Sequence, residues 1–431
     1  MKTDFSLAQL ADPKFQESND ILRKCVHCGF CTATCPTYTE LGDERDSPRG
    51  RIYLIQQMLQ NEAPAPEETV THLDRCLSCF SCMTTCPSGV DYMHLLDHAR
   101  AYVDETYDRP LIDRLLRKML SVLLVRPNMF RLSLFAAGFA KPFKSVFSGR
   151  LRAMLEMAPS RLPSRSLLDE TPKHKAIGGS SNGRVILMTG CAQKVLSPDI
   201  NDATIRLLTR HGIEVVIPES AGCCGALPLH MGQEDPAKAL ARKNVEAWSA
   251  EIEAGKLDAV IINTSGCGTT VKDYGHLFQH DEPEVAKKAE QLSKLAKDVT
   301  EYLMDLELET SNFSSDLVVA YHSACSLQHG QKVIQPPKML LEKAGFTVKT
   351  LPEAHICCGS AGTYNLLQPE LSKRLKERKV RNIRSVKPDL VSAGNIGCIE
   401  QIASGMDLPV VHTVQLLDWA SGGPKPEKLE N

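Results

Sequence analysis

Two short runs of cysteine lie in the N-terminal part of the chain, and both have the same spacing, C-x2-C-x2-C-x3-C-P. The first run contains Cys25, Cys28, Cys31 and Cys35, with Pro36 behind it. The second run contains Cys76, Cys79, Cys82 and Cys86, with Pro87 behind it. The rest of the chain is organised around whatever these eight thiols bind.

This spacing is typical of loops that hold [4Fe–4S] clusters, where the fourth cysteine of each run binds the cluster of the other. The fixed φ of the following proline suits the change of chain direction. Zinc is the alternative ligand of C-x2-C pairs, but a third cysteine and a following C-P exceed the needs of tetrahedral zinc. The sequence thus predicts two [4Fe–4S] clusters. Their predicted ligands are Cys25, Cys28, Cys31 and Cys86 (the first cluster set) and Cys76, Cys79, Cys82 and Cys35 (the second cluster set).

Helices are predicted behind both cysteine runs. Ser47 is a favourable N-cap with Pro48 at the first helical position, and apolar residues follow at helical spacing. A second helix should follow Pro87, with Tyr92, Leu95, Leu96 and Ala99 on its apolar face. Residues 1–20 are polar and indicate an arm. Residues 1–104 are therefore predicted to form a mostly helical, ferredoxin-like module.

Residues 105–184 are predicted to form a basic helical connector that ends in a linker over 166–184. Between Arg109 and Arg165 stand twelve Lys and Arg against Asp113 and Glu156, a local balance of +10. Leu, Met, Phe and Val are interleaved at helical intervals. The apolar face could pack on the protein itself, or it could form a basic amphipathic surface for anionic lipid or an acidic partner. The sequence leaves both interpretations open.

After Arg184 the pattern becomes α/β and is doubled, over 185–310 and 311–431 (the first and second repeats). Predicted strands lie at 185–190, 214–217, 259–262, 317–321, 347–350 and 389–392, and predicted helices at 199–211, 236–252, 338–344 and 370–384. The charged segment 284–309 is predicted as a helical connector between the halves. The overall fold class is therefore α+β.

Each repeat carries four cysteines in matched positions. The first-repeat thiols are Cys191, Cys223, Cys224 and Cys267, and the second-repeat thiols are Cys325, Cys357, Cys358 and Cys398. The first cysteine precedes the Cys-Cys-Gly segment by 32 residues in both halves (191 to 223 and 325 to 357). Such cysteines follow strand ends, where open α/β sheets place ligands. One or two further [4Fe–4S] clusters, zinc, redox-active dithiols and simple burial all remain interpretations.

The composition limits the class of function. Lys and Arg number 50 against 52 Asp and Glu, so no nucleic-acid partner is indicated. The N-terminus has no apolar signal core and the thiols need a reducing compartment, which together indicate a cytoplasmic protein. No stretch approaches the roughly 20 apolar residues of a transmembrane helix, so membrane contact would be peripheral. Flavin, nicotinamide and P-loop fingerprints are absent from the sequence, and no catalytic residue is predicted.

The Cys-Cys-Gly segments resemble the cysteine-rich domain of heterodisulfide reductases. The segment from Cys25 to Tyr38, together with Ser47-Pro-Arg-Gly-Arg-Ile-Tyr53, resembles the iron–sulfur subunits of glycolate oxidase. This resemblance implies an electron-transfer subunit beside FAD-containing partners that oxidise glycolate, with a quinone or another acceptor at the cytoplasmic side of the inner membrane. Subunits of lactate and anaerobic glycerol-3-phosphate dehydrogenases share this order of parts, and a thiol/disulfide enzyme is the other alternative.

The repeats depart from the heterodisulfide reductase pattern at one position each. That pattern ends in C-x-x-C, which supplies five thiolate ligands, whereas Thr264 and Asn395 stand three residues before the last cysteines here. Four thiols fit an ordinary cubane. His322 precedes Cys325 and is interpreted as a hydrogen-bonding neighbour of a cluster rather than as a ligand.

Overall fold

The computed structural model describes residues 1–159, 161–178, 181–310 and 313–430. A helical N-terminal module is followed by three connecting helices and then by two sheets flanked by helices. This is the α+β architecture that the sequence predicts. The limits proposed for the individual domains stay a prediction.

The N-terminal module contains seven α-helices. They are α1 (Leu7–Leu10), α2 (Pro13–Lys24), α3 (Pro36–Leu41), α4 (Pro48–Gln60), α5 (Glu67–Asp74), α6 (Ser81–Thr85) and α7 (Tyr92–Thr106). Helix α4 begins as predicted, because the Ser47 hydroxyl accepts a hydrogen bond from the Gly50 backbone N–H at 3.0 Å and Pro48 takes the first position. The predicted helix behind the second run is α7.

The predicted N-terminal arm is wrong, because residues 7–24 are almost entirely helical. Ser6 is the N-cap of α1 and forms a capping box with Gln9. Asp12 is the N-cap of α2, directly before Pro13. Few apolar residues mark this segment, yet Ile21 and Leu22 are buried in the core of the module. The capping residues Ser6 and Asp12 were therefore the sequence signal for these helices, although the polar composition of the segment suggested an arm.

The connector forms a helical hairpin followed by a shorter helix. Its elements are α8 (Leu111–Leu123), α9 (Pro127–Ala140), a 3₁₀ turn (Lys141–Val146) and α10 (Gly149–Met157). Leu120 of α8 is buried against Met231 and Leu367. Most other large apolar side chains of α8 and α9 are exposed, among them Ile112 at 81% and Phe139 at 69%. Only part of the apolar surface therefore packs on the protein.

The first sheet has the strand order β1-β3-β2-β4-β5. Its strands are β1 (Lys173–His174), β2 (Gly183–Met188), β3 (Ile213–Val216), β4 (Ala259–Ile262) and β5 (Ala296–Asp298). The helices are α11 (Gln193–Leu196), α12 (Asp199–Arg210), α13 (Ala226–His230), α14 (Glu234–Ala254), α15 (Ser265–Lys272), α16 (Tyr274–Leu277), α17 (Pro283–Leu295) and α18 (Val299–Met304). All pairings are parallel except that of β1 with β3.

The second sheet has the order β7-β6-β8-β9 and is parallel throughout. Its strands are β6 (Val318–His322), β7 (Thr347–Thr350), β8 (Leu390–Ala393) and β9 (Val410–His412). The helices are α19 (Pro336–Lys343), α20 (Tyr364–Leu367), α21 (Pro369–Ser385), α22 (Ile396–Ala403) and α23 (Thr413–Ala420). The order matches β3-β2-β4-β5, so the duplication read from the cysteine spacing extends to the topology.

Strands β1, β5 and β9 were not predicted, and two of them, β1 and β5, lie in segments that were predicted to have another structure. The segment 284–309 was predicted as a helical connector, but β5 interrupts it and pairs with β4, as Val260 opposite Ala296. Its sequence Ala-Lys-Asp lacks the apolar run that identifies a buried strand. Strand β1 lies in the predicted linker 166–184, part of which is outside the described residues. Both strands depend on pairing with a distant neighbour, which local patterns do not show.

One hydrophobic core is shared by the two repeats and contains residues of both sheets, such as Val185 and Val391. Arg206 and Arg210 of α12 add a polar contact, since both pair with the buried carboxylate of Asp418 on α23. The repeats therefore pack side by side, and their cysteine-bearing strand ends are held in a common framework.

Candidate iron–sulfur centres

The first cluster set converges on one cavity. Cys25, Cys28, Cys31 and Cys86 line it together with Cys82. Cys86 thus lies beside three cysteines of the other run, as the crossed pairing requires. Burial raises the pKa of Cys31 to about 11, whereas Cys28 is exposed. This site therefore lies at the protein surface.

The second cluster set lies deeper, since Cys35, Cys76, Cys79 and Cys82 are all buried. Burial raises the pKa of Cys79 and Cys82 well above the usual thiol value, and neighbouring thiols, including that of Cys35, raise it further. Buried thiols keep their protons unless a cation compensates the charge. This donor set fits a metal cluster, whose iron ions neutralise the thiolates and satisfy all four sulfur atoms.

A buried arginine lies beside the second cluster set. Arg51 Nη1 is 3.8 Å from Cys35 Sγ, Nη2 donates to the Thr37 hydroxyl at 2.9 Å and to the Asp46 carboxylate at 3.2 Å, and Nε donates to the His72 carbonyl at 2.7 Å. Although burial lowers its pKa, the negative charges of Cys76, Tyr92, Cys35 and Asp46 raise it above the usual arginine value. Arg51 therefore places a permanent cation where thiolates would gather.

The segment Ser47-Pro48-Arg49-Gly50-Arg51 is built to position this arginine. Ser47 and Pro48 start α4, and residue 51 then points into the module one turn later. Gly50 packs against the carbonyl of Glu44 so closely that a Cβ there would collide with it. A larger residue would push α4 away from the loop, and the guanidinium would move with it.

The four thiols of each repeat also converge. In the second repeat, Cys325 Sγ lies 3.7 Å from Cys357 Sγ, and Cys358 contacts both Cys357 and Cys398. In the first repeat the chain of contacts runs from Cys191 through Cys223 and Cys224 to Cys267. All sixteen cysteines are free thiols in the described structure.

The glycine of each Cys-Cys-Gly segment has a positive φ, +87° at Gly225 and +88° at Gly359. A Cβ would lie 2.6 Å from the Ala237 carbonyl oxygen in the first case and 2.7 Å from that of Ser372 in the second. Glycine therefore allows the left-handed turn and the close approach of a helix. The backbone N–H of each glycine faces the first sulfur of the pair, at 3.5 Å and 3.4 Å.

The second-repeat thiols lie next to the second cluster set. Cys79 shares a hydrophobic cluster with Cys357 and Cys325. Thr84, in the second run, also hydrogen-bonds to His329 of the second repeat at 2.8 Å. Sequence spacing cannot reveal this proximity, because Thr84 and His329 are 245 residues apart in the chain. It brings two candidate redox sites into contact.

The sequence treated His322 as a hydrogen-bonding neighbour, but neither of its ring nitrogens has a hydrogen-bond partner among the described residues. Arg51 and the buried Lys379 were also not predicted as site residues. A cation inside an otherwise apolar helix face was the available signal for both.

Comparison with known proteins agrees with this architecture. A family model described as a 4Fe-4S dicluster domain matches residues 21–90, and one described as a cysteine-rich domain matches residues 185–272 and 319–403. Fold and sites together define an iron–sulfur electron-transfer protein that joins a two-cluster module to a duplicated cysteine-rich domain.

The match extends over the full length of curated relatives. The chain is 42% identical to the glycolate oxidase iron-sulfur subunit of Escherichia coli (strain K12), over 97% of this chain and 99% of that one. It is 31% identical to the probable glycolate oxidase iron-sulfur subunit of Bacillus subtilis (strain 168), over 98% and 99%. The chain belongs to the family of glycolate oxidase iron–sulfur subunits.

More distant similarities are partial or limited to the fold. Lactate utilization protein A of Shouchella clausii (strain KSM-K16) is 27% identical over 54% of this chain and 98% of its own length. The crystal structure of a hypothetical protein from Helicobacter pylori superimposes with a TM-score of 0.54 at 12% identity, covering 97% of this chain and 74% of that one. The latter shows a shared fold alone.

Proposed function

We propose that this chain carries electrons within a glycolate-oxidising complex. FAD-containing partner subunits would oxidise glycolate, or a related 2-hydroxy acid, and this chain would receive the two electrons one at a time. The observation that carries the proposal is the convergence of the eight thiols of the two N-terminal cysteine runs in two adjacent sites. [4Fe–4S] clusters held there supply one-electron redox chemistry.

The crossed pairing is part of the proposal. Cys25, Cys28, Cys31 and Cys86 would hold the cluster near the surface, and Cys76, Cys79, Cys82 and Cys35 would hold the buried one. The first loop also exposes Val26 at 67% and Phe30 at 64%. Apolar side chains at an exposed cofactor edge favour docking of a partner there, so we place the exchange with the flavoprotein at the first cluster set.

The exposed face of α8 and α9 supports a peripheral membrane contact. In the described chain, no single helix is long and apolar enough to cross a membrane, and the one helix pair that qualifies by length and composition, Leu111–Leu123 with Pro127–Val146, is bent by 120°. Leu115, Phe135 and Phe139 are more than half exposed on this pair, with Arg114 and Lys118 nearby. Exposed apolar and cationic groups on one helix pair suit an anionic lipid surface. We therefore propose a position on the cytoplasmic side of the inner membrane and a quinone as acceptor.

The test is reduction of this chain by its partners. The purified complex, mixed anaerobically with glycolate, should develop the EPR signals of reduced [4Fe–4S] clusters, and the chain without flavoprotein should not. D-lactate and glycerol 3-phosphate serve as competing substrates, because related subunits act with other dehydrogenases. Clusters that stay oxidised while the flavin is reduced would contradict the electron-transfer proposal. Faster reduction by one of the other substrates would change the substrate assignment.

A further inference from the structure

The end of strand β6 places a histidine against the second-repeat thiols. His322 is 1% exposed, and its ring lies beside Cys358 and Cys398, which are 1% and 3% exposed. One ring nitrogen and the two sulfur atoms all lie within 4.8 Å of one another. Three donor atoms at this separation can contact a common metal centre.

The imidazole of His322 is buried without a hydrogen bond to the described residues. Neither Nδ1 nor Nε2 of His322 finds a hydrogen-bond partner among them. A buried polar group without a hydrogen-bond partner costs free energy. Buried polar groups in folded proteins are otherwise nearly always satisfied. A ligand bound between the histidine and the thiols would remove this cost.

The first repeat provides an internal comparison. Cys191 and Cys325 occupy equivalent positions, and the residue three places earlier is Met188 in one repeat and His322 in the other. Both residues end the first central strand of their sheet, β2 and β6. The common fold therefore does not require histidine at this position.

A second difference also distinguishes the repeats. Seven residues after Ala237 and Ser372, whose carbonyls face the two Cys-Cys-Gly glycines, stand Asn244 and Lys379. Lys379 is 1% exposed, and its ammonium lies close enough to Cys357, Cys358 and Cys398 to interact with their charge. A cation near a thiol favours the ionised form of that thiol. The second repeat is therefore better suited to thiolates than the first.

We propose that the second repeat holds a third iron–sulfur centre, bound by the second-repeat thiols and by the imidazole of His322. The first repeat lacks the imidazole donor. The inference rests on the electron-transfer function proposed above, and it specifies which repeat continues the electron-transfer path from the two N-terminal clusters. Contact between Cys79 and the Cys325–Cys357 pair places this centre beside the buried cluster.

Imidazole ligation has a measurable consequence. An iron–sulfur centre whose fifth ligand is imidazole should have a higher reduction potential than one whose fifth ligand is thiolate, because imidazole is neutral and thiolate is anionic. A centre beside the buried cluster with a raised potential would draw electrons from it. Zinc is the competing occupant, since a cysteine and histidine set also suits that ion.

The experiment uses the full chain, purified anaerobically with histidine labelled with ¹⁵N at the ring. We expect more iron than the roughly eight ions of two cubanes, and a strong nitrogen hyperfine coupling in pulsed EPR. His322→Met, which copies the first repeat, should lose the excess iron and the coupling. His322→Cys should retain the iron, lose the coupling and lower the midpoint potential of the third centre.

His280→Met is the control, because His280 is exposed and is not one of the proposed donors, and it should change none of these readouts. Unchanged EPR signals of the two N-terminal clusters would show that each variant is folded. Zinc or titratable thiols in place of the excess iron would overturn the proposal, and so would a nitrogen coupling that persists in His322→Met. These outcomes do not depend on whether glycolate reduces the clusters, so failure of the proposed complex would be recognised separately.

Discussion

Arg51 Nη1 lies 3.8 Å from Cys35 Sγ, in a buried contact that joins α4 to the loop of the first cysteine run. The same guanidinium pairs with Asp46, which is fully buried and also contacts His72 and Arg75. The charge of one arginine is thus divided between a structural carboxylate and a candidate cluster ligand. Changes at this position should affect both stability and redox properties.

Arg51→Met should destabilise the chain by about 3–5 kcal/mol, the usual cost of leaving the partner of a buried ion pair without its counterion. It should also lower the midpoint potential of the buried cluster, because a cation that favours the reduced, more negative state is lost. Denaturant unfolding and EPR-monitored titration measure the two effects. Arg45→Met, at an exposed ion pair, is the control and should change neither. A stable Arg51→Met protein with an unchanged potential would contradict this role.

The crossed pairing predicts a reciprocal pair of effects. Cys35→Ser should perturb the EPR signal of the cluster held by Cys76, Cys79 and Cys82. Cys86→Ser should perturb the signal of the cluster held by Cys25, Cys28 and Cys31. If each serine variant instead affects the cluster of its own run, the cysteine pairing is wrong.

The stacked rings of His94 and His276, 3.5 Å apart, predict a pH-dependent contact between the N-terminal module and the first repeat. Burial alone would lower the pKa of His94, but hydrogen bonds to Asp273 and Asp91 raise it to about 10. The pKa of His94 in the folded protein exceeds the usual histidine value of about 6.5. The stabilisation that protonated His94 contributes is therefore complete below a pH of about 6.5. It is lost as pH rises through about 10.

His94→Gln should therefore destabilise the protein at neutral pH, by the order of a few kcal/mol, and less as the pH approaches 10. Thermal unfolding at several pH values measures the difference from wild type. His98→Gln is the control on the same helix. Burial lowers the pKa of His98 to about 4, so this histidine is neutral throughout and its effect should not vary with pH. A constant cost of His94→Gln from pH 6 to 10.5 would disprove the assignment.

The proposed membrane contact of α8 and α9 predicts salt-dependent binding to anionic vesicles. Arg114→Glu with Lys118→Glu should weaken binding at least tenfold, since each cation near such a surface contributes about 1 kcal/mol. Phe135→Ser with Phe139→Ser should weaken the component of vesicle binding that persists at high salt concentration. Arg117 belongs to the same basic window but is unsuitable for this test, because it is buried and paired with Asp74 and Asp113. Vesicle sedimentation of the complex measures both effects, and equal binding to neutral vesicles would contradict a lipid role.

Local sequence determined the parts whose chemistry depends on near neighbours. The cysteine spacing identified the cluster loops, Ser47-Pro48 identified the start of α4, and the repeated Cys-Cys-Gly spacing identified the duplication. These signals are reliable because spacing, capping and the positive φ of Gly225 and Gly359 involve residues a few positions apart. The resemblance to glycolate oxidase subunits rested on the same segments.

Only the tertiary structure decided which distant groups meet. Strand β5 forms because Ala296–Asp298 can pair with β4, although its own sequence does not indicate a strand. In the sequence Arg117 is one of twelve cations in the basic window. In the fold it is buried and forms an ion pair with Asp74 of the N-terminal module. His322 appeared to be a neighbour of Cys325, whereas the fold directs its ring to Cys358 and Cys398. Such contacts follow from packing and strand pairing, whose energies depend on residues far apart in the chain, so no local pattern can specify them.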